Sequence, residues 1–361
     1  MKFLDRAIPT FSATIFAGLA AAVCLAQGDE ARAGAADKKL DVYWVDVEGG
    51  AATLLVTPAG ETVLWDTGYP GDRDADRVKK AVTEFAGLAK IDHLIITHFH
   101  QDHYGALKDI IKRVPVGTLY ERDVDKAPDK EKTHAEIPPY KEAKVDKRVR
   151  IKPGDLLPLK QAPGAAKLTV QFLGMEEKFI KAKGSKPNAV LCKEHQVKDP
   201  DGGDNRNSVV TLVTFGPFRF FEGGDLTWNT EGALVCPTNR VGGPIDVFQI
   251  NHHGLDQSNN PVLIKTLAPT VAVVNNGPRK GNDPNSFAAL KATPSIQTIY
   301  QLHRNVRVPP EGNTAAELTA NQNETCEGNH VKLSVEPDGK KYALAVPATK
   351  HEKTYETRAK R

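Results

Sequence analysis

The sequence is short of net charge, of cysteine and of long apolar stretches, and each shortage narrows the range of functions. Its 361 residues carry a formal net charge of only +3, which by itself does not indicate a nucleic-acid partner. The 4 cysteines include no Cys-x-x-Cys or similar spacing, so the sulfurs are not predicted to bind metal. No bundle of transmembrane segments is present, so we expect no integral membrane domain. None of these features indicates the oligomeric state.

The sequence contains a cluster of ionisable residues in the stretch Thr97–His103. The cluster directly follows an apolar run that is typical of a buried strand. Ionisable groups need partners wherever water is excluded, and three imidazoles with one carboxylate at this spacing indicate metal. In an extended segment His98 and His100 project to one side, so we expect them to share one ion. Asp102 and His103, where the chain turns into a helix, are expected to reach a second ion. A solvated polar loop or a set of hydrogen-bonded histidines is the alternative.

The pattern His-x-His-x-Asp-His after a strand resembles the signature of the metallo-β-lactamase-fold hydrolases, and the resemblance extends from about Leu40 to Arg304. It implies an enzyme with two divalent metal ions, zinc first and manganese or iron as alternatives, which hydrolyses its substrate with a bridging hydroxide. It also implies an α/β (α+β) fold, a four-layer αββα sandwich. Two successive runs of predicted strands, each followed by helices, agree with that architecture.

The remaining ligands are expected at the ends of later strands. Asp225 follows a Gly-Gly bend and matches the carboxylate that bridges the two ions in this family, although a turn aspartate is the alternative. His252 and His253 follow the next strand, and adjacent side chains on a strand end point to opposite sides. We therefore expect His252 to bind the second ion. His253 is expected to line the pocket or to serve as a hydrogen-bond donor behind the ligands, and to act in catalysis together with Asp102.

The first ion departs from the family pattern, because the place of its usual third imidazole is taken by Asn207-Ser208. An amide oxygen is a weaker ligand for zinc than imidazole, so Asn207 and Ser208 are predicted to bind weakly or only to line the site. His195, in an upstream loop, is an alternative ligand. Asp66 resembles the family's strand-end aspartate, which hydrogen-bonds and orients the histidine loop rather than binding metal.

Several of these features together resemble the hydrolase domain of the ComEC-type DNA-uptake competence proteins, namely Asn207-Ser208, Asp225 after two glycines, and Asn-His-His-Gly. This resemblance favours phosphodiesters or other anionic esters, small or oligomeric, with Arg279 and Lys280 as candidate contacts to the anion. A nucleic-acid substrate is possible but is not supported by the net charge. The alternatives are a lactone, a β-lactam with less support, and a non-catalytic binding protein that retains the fold.

The first residues are typical of an export signal. Lys2 and Arg6 precede an Ala-rich apolar run that ends near Ala26, and small and polar residues follow it. We predict a signal peptide within residues 1–36, cleaved between residues 26 and 36, and a periplasmic or secreted protein. An uncleaved anchor is the alternative.

The rest of the chain is predicted to form one domain with an insertion. Residues 37–310 form the hydrolase domain, and a charged, Pro-bearing segment at about 121–152 is expected to be an inserted loop. Residues 311–361 are expected to add a hairpin and a charged tail to the same domain. In an oxidising compartment Cys192, Cys236 and Cys326 allow one disulfide and one remaining thiol, and the sequence does not select the pair.

Overall fold

Runs of β-branched and aromatic residues determine the architecture, because they form the strands of two large sheets. The structure, a computed structural model, describes residues 36–181 and 187–358, so the predicted signal peptide lies outside the described residues except for its last position. In this part of the chain the strands are β1 Leu40–Trp44, β2 Thr53–Val56, β3 Thr62–Trp65, β4 Ile91–Ile95, β5 Val116–Glu121, β6 Lys147–Arg150, β7 Leu168–Met175, β8 Lys178–Phe179, β9 Val210–Phe215, β10 Phe218–Glu222, β11 Val247–Gln249, β12 Val271–Val274, β13 Thr298–His303, β14 Thr319–Asn321, β15 Val331–Val335, β16 Lys341–Val346 and β17 His351–Glu356.

The helices of the same part of the chain connect these strands. They are α1 Asp72–Lys80, α2 Gln101–Tyr104, α3 Leu107–Ile110, α4 Asp129–Lys132, α5 Ile137–Lys141, α6 Ala189–Cys192, α7 Trp228–Val235, α8 Pro261–Leu267 and α9 Pro284–Lys291. None of these helices has the length and apolar composition that crossing a membrane requires.

Both sheets combine parallel and antiparallel pairs. The first has nine strands in the order β17-β16-β15-β1-β2-β3-β4-β5-β6, and the second has eight in the order β14-β13-β12-β11-β10-β9-β7-β8. The pairs from β3 to β6 are parallel, as are those from β10 to β14. Parallel neighbours require crossover connections, and here several of these contain helices.

Three apolar clusters define four layers. One lies between the sheets, where Trp44 and Trp65 of the first sheet meet Phe220 of the second, and the rings of Trp44 and Phe220 make an edge-to-face contact at 5.8 Å. Another joins the outer face of the first sheet to helices through residues such as Val78 of α1. The third cluster joins the outer face of the second sheet to helices through residues such as Leu263 of α8. The predicted four-layer αββα sandwich is confirmed.

The charged segment at about 121–152 is more regular than the inserted loop that the sequence predicted. It contains α4 and α5 and then β6, which pairs with β5 as the last strand of the first sheet. Ile137 and Tyr140 are buried in the apolar cluster on the outer face of that sheet, so a few apolar residues hold the segment down. The charges of β6 suit an edge strand, because they discourage pairing with another chain.

The C-terminal residues contribute to both sheets. Strand β14 joins the second sheet, while β15, β16 and β17 extend the first sheet beyond β1. The charged end that was predicted to be a tail instead forms β17, whose Tyr355 is buried against Tyr342 at a ring distance of 5.3 Å.

The cysteines of the described residues divide into one bonded pair and one thiol. Cys192 and Cys236 form a disulfide that joins α6 to the end of α7, and Cys326 remains a thiol. This selects one of the pairings that the sequence left open.

Candidate metal centre

The centre lies where strands of both sheets end. Asp66 follows β3, the His98–His103 stretch follows β4, Asp225 follows β10 and His252 follows β11. The carboxyl ends of parallel strands meet at the same edge of a sheet, so polar side chains carried just beyond them converge. Helix α2 begins directly after His100, which places the last part of the motif in its first turn.

One group, here called the four-residue cluster, consists of Asp102, His103, Asp225 and His253, all buried. Nε2 of His103 lies 3.1 Å from Oδ2 of Asp225 and 3.3 Å from Nε2 of His253. Nε2 of His253 lies 3.2 Å from Oδ2 of Asp102. Burial alone would raise the pKa of Asp102, but the charges of His103 and Lys280 hold it well below its usual range. Two imidazoles and two carboxylates form a donor set that suits zinc, manganese or iron.

A second group, here called the three-residue cluster, consists of His98, His100 and Asp225. The His98 side chain is fully buried, and within the described residues its Nε2 atom has no hydrogen-bond partner. Nε2 of His98 lies 3.8 Å from Oδ2 of Asp225. Burial, reinforced by the charge of His103, lowers the pKa of His98 well below its usual range, which favours the neutral form that binds metal. A buried nitrogen without a partner is costly, so a cation fits this place.

Asp225 belongs to both clusters. Its Oδ2 atom faces the Nε2 atoms of four histidines, at 3.1 to 3.8 Å: His98, His103, His252 and His253. Burial would raise its pKa, but the imidazoles of His103, His253 and His252 hold the pKa well below the usual value. An ionised carboxylate shared by two donor groups can hold two cations close together.

The positions of the adjacent histidines correct one expectation. His252 and His253 both have left-handed backbone conformations, with φ of 53° and 55°, so the alternation of an extended strand does not apply to them. His253, rather than His252, joins the four-residue cluster, while Nε2 of His252 lies 3.3 Å from the side-chain nitrogen of Asn205. Gly281, at φ 81°, allows this turn, because a Cβ there would collide with the carbonyl oxygen of His253.

Asp66 lies behind His103. Its Oδ2 atom is 2.7 Å from Nδ1 of His103, and its two carboxylate oxygens also accept hydrogen bonds from the backbone and hydroxyl of Thr97 at 2.8 and 2.7 Å. This contact assigns the proton of His103 to Nδ1 and leaves Nε2 facing the cluster. The role of Asp66 in metal binding stays a prediction.

The pair Asn207-Ser208 has a different place from the one expected. The side-chain nitrogen of Asn207 donates to Asp204 at 3.0 Å, and Ser208 Oγ accepts from the backbone N–H of Asp225 at 3.1 Å. Asn205, which the sequence analysis missed, is the amide that approaches His252, and its Oδ1 atom is buried without a partner among the described residues. Sequence alone does not separate the two asparagines, because a single 3₁₀ turn decides which one faces the centre.

His195 is engaged elsewhere. Its Nδ1 atom lies 2.9 Å from the side-chain nitrogen of Asn260, and its ring lies against Gly232. Among the described residues the centre therefore does not gain a third imidazole for the three-residue cluster from this loop.

The two basic residues expected to meet an anion differ in orientation. Lys280 donates to the Asp102 carboxylate, and its Nζ lies 3.4 Å from the hydroxyl of Tyr69. Burial would lower the pKa of Lys280, but Asp102 raises it, so the ammonium is charged. Arg279 is 70% exposed and pairs with Glu324 at 2.5 Å. The contact of Arg279 with an anion stays a prediction, and in this structure its guanidinium lies at the surface beside Glu324.

A cavity of about 1010 Å³ is lined in part by residues that are close in sequence to those of the centre. Its lining includes Thr227 and Leu255, close in sequence to Asp225 and His253, and Gly202, whose neighbour Gly203 lies near the ring of His100. Four aspartates line it as well, together with one tryptophan and one lysine: Asp199, Asp201, Asp256, Asp283, Trp228 and Lys198. The charged residues of the lining are thus mainly acidic, and Nζ of Lys198 lies over the ring of Trp228 at 3.4 Å.

Sequence comparison defines the class. Residues 45–169 match the metallo-beta-lactamase superfamily, a range that includes β2 to β6 and the whole His98–His103 motif. The chain therefore carries a metallo-β-lactamase superfamily domain. This confirms the superfamily that the sequence predicted. The chain spans 21% and 26% of the length of two curated relatives.

Individual relatives are distant. A metal-dependent hydrolase of Cupriavidus metallidurans is 34% identical over 70 residues, which is 19% of this chain and 21% of that protein. Competence protein ComA of Neisseria gonorrhoeae is 24% identical over 231 residues, which is 63% of this chain but only 26% of that protein. Among solved structures, Tm1679, a metal-dependent hydrolase of the beta-lactamase superfamily, gives a TM-score of 0.43 at 13% identity, covering 73% of this chain and 96% of that one.

Proposed function

We propose that the protein is a hydrolase that uses two divalent metal ions, zinc in the first instance, to cleave a small phosphodiester or a related anionic ester. The observation that carries this proposal is the Asp225 carboxylate, which belongs to two separate groups of buried donors. A single buried carboxylate facing four imidazoles is unusual for a purely structural network, because such groups need compensating charge.

The two donor groups support a division of the ligands between two ions. His98, His100 and Asp225 would hold one ion, and the four-residue cluster would hold the other. When bound, the ions would supply activated water and polarise the bond that is attacked. Asp66 holds the Nδ1 proton of His103 and so keeps its Nε2 directed at the cluster.

Lys280 and the aspartates that line the cavity narrow the class of substrate. The half-buried ammonium of Lys280 beside Asp102 favours an anionic group at the centre. The aspartates that line the cavity would repel further negative charges. These features favour a small substrate with one anionic group over a polymeric nucleic acid. The competence role named for the Neisseria relative is not carried over, since the match spans 26% of that protein.

We also propose that the protein is exported to the periplasm or secreted. The Cys192–Cys236 disulfide supports this location, because disulfides persist mainly in oxidising compartments. Mass spectrometry of the protein from its native cell fraction would test both points, and a reduced pair in a cytoplasmic fraction would contradict them.

A substrate panel tests the reaction. The metal-reconstituted protein would be assayed with bis-p-nitrophenyl phosphate, single-stranded DNA, a lactone and nitrocefin, with His100→Ala as the control and with metal content measured in parallel. We expect about two ions per chain and turnover of the small phosphodiester that the variant loses. Lactone turnover without phosphodiester turnover would replace the proposed substrate. Metal binding without any turnover would favour a binding protein, and no metal after metal-replete purification would remove the proposal.

A further inference from the structure

The segment inserted between β5 and β6 reaches the metal centre through one buried carboxylate. Glu131, in α4, is only 2% exposed although it lies in a charged part of the sequence. Its Oε1 atom is 3.3 Å from Nε2 of His100. Its Oε2 atom is buried, and within the described residues it has no hydrogen-bond partner. A carboxylate that is desolvated in this way needs a cation or a donor nearby.

The position of Glu131 results from docking of the whole segment on α2. Glu136 accepts a hydrogen bond from the side chain of Gln101 at 2.5 Å. The ring of His134 lies 3.4 Å from the hydroxyl of Tyr104. These contacts reach the residues that immediately follow His100 and the end of the same short helix. The inserted segment is therefore built against the histidine motif.

Two histidines of the motif each have a carboxylate oxygen beside one ring nitrogen. Glu131 is the partner of His100, and Asp66 is the partner of His103. Histidines that bind metal generally donate their second ring N–H to a carboxylate, which fixes the tautomer and makes the imidazole a stronger ligand. If Glu131 accepts from Nε2 of His100, then Nδ1 is the nitrogen left for an ion. His98 has the opposite arrangement, because its Nδ1 lies 3.1 Å from the Thr97 hydroxyl and its Nε2 faces Asp225.

We propose that Glu131 is the positioning residue for His100, so that the inserted segment is an integral part of the metal centre. This inference rests on the proposed function, since it concerns the ion held by the three-residue cluster. That cluster lacks the third imidazole of many relatives, and a carboxylate behind His100 compensates by strengthening one of the two imidazoles that remain.

The test compares two glutamates of one segment. Glu131→Gln removes the charge behind His100, and Glu136→Gln weakens the contact to Gln101 by removing the charge of its acceptor but leaves His100 untouched. Stepwise zinc affinities would be measured by competition with a chromophoric chelator. We expect Glu131→Gln to weaken one of the two ions about 10- to 100-fold, as is typical for residues behind a metal ligand, and to leave the other unchanged. Glu136→Gln should bind both ions as the unmodified protein does.

A spectroscopic readout separates positioning from a general loss of structure. In the cobalt-substituted protein, the exchangeable ring proton of His100 should give a paramagnetically shifted proton resonance that Glu131→Gln displaces and Glu136→Gln retains. Glu131→Asp, which keeps the charge on a shorter side chain, should fall between the two in affinity. Thermal unfolding followed by circular dichroism would verify that all variants fold.

Three outcomes would overturn the inference. Unchanged affinities in Glu131→Gln would remove Glu131 from the centre, and equal losses in both variants would assign the effect to docking of the segment. A changed cobalt coordination number in Glu131→Gln would make Glu131 a direct ligand. An unmodified protein that binds no zinc would instead contradict the proposed function.

Discussion

The two halves of the metal centre share Asp225 but are built in different ways. The four-residue cluster uses residues that directly follow strands or begin α2, and its supporting carboxylate, Asp66, follows β3. The three-residue cluster has its supporting carboxylate, Glu131, in a segment inserted more than twenty residues later. The supporting carboxylate of one half therefore follows a strand next to the motif, whereas docking of a distant segment brings in that of the other half.

The halves also differ in exposure. His103 is fully buried, with Nδ1 on Asp66 and Nε2 against Asp225. The side chain of His100 is 26% exposed, and its carboxylate partner is 3.3 Å away. A more open site with fewer strong ligands releases its ion more readily, so we expect the three-residue cluster to bind its ion more weakly.

Asp225→Asn should have the largest effect, because it removes the charge that both halves share. We expect both ions to be bound poorly and hydrolysis to fall by more than about 100-fold, the upper end found for residues that only support ligands. Metal analysis by mass spectrometry and the phosphodiester assay would measure this. Asp41→Asn is the matched control, since Asp41 is also buried but contacts Ser334 and Lys332. Two tightly bound ions in Asp225→Asn would show that the halves do not depend on a common carboxylate.

The adjacent histidines offer a way to separate the halves. His253→Ala should remove the ion of the four-residue cluster, because His253 contacts both Asp102 and Asp225 at 3.2 and 3.5 Å. His252→Ala should have a smaller effect on that ion, since His252 contacts Asp225 at 3.6 Å and otherwise faces Asn205. Stepwise zinc titration of the two variants would rank them. The reverse ranking would restore the assignment that the sequence suggested.

Asp66→Asn should weaken the ion of the four-residue cluster about 10- to 100-fold, because the amide no longer stabilises the Nδ1 proton of His103 by charge. The measurement is the same zinc competition used for Glu131→Gln. The two variants should affect different ions, and their effects should add in the double variant because they support separate histidines. If both variants weakened the same ion, the division into two halves would be wrong.

Substitutions of Lys280 and Arg279 should give the smallest effects of this series, and the two substitutions should differ in their effect on KM. Lys280→Met is expected to raise KM for an anionic substrate about tenfold, since hydrogen bonds to charged groups contribute about 1.5–3 kcal/mol. Arg279→Ala should change KM less than about twofold, because an exposed ion pair contributes little. KM for an anionic and a neutral ester would be compared in both. Equal effects of Lys280→Met on the two esters would exclude a contact with the anion.

The fold and the densest part of the centre could be predicted from the sequence because their signals are local. The motif from His98 to His103 and Asp225 each follow an apolar run, so strand ends together with the resemblance to the family signature were enough to place them. The order of His252 and His253 could not be predicted in this way, because their left-handed backbone depends on the packing of Gly281. Glu131 lies in a charged segment whose few apolar residues gave no periodic signal, so only the folded chain brings it to His100.

Strand β1 lies inside the first sheet between β2 and β15, and it joins the beginning of the domain to its end. In that pairing Asp41 bonds to Ser334, 293 residues further along the chain. Until β15 has been synthesised, one edge of β1 has no partner in the sheet, and an unpaired edge invites association with other chains. Closure of the sheet is therefore a late step of folding, because it pairs strands that are far apart in the sequence. Until the last strands have paired, the newly made domain remains prone to aggregation.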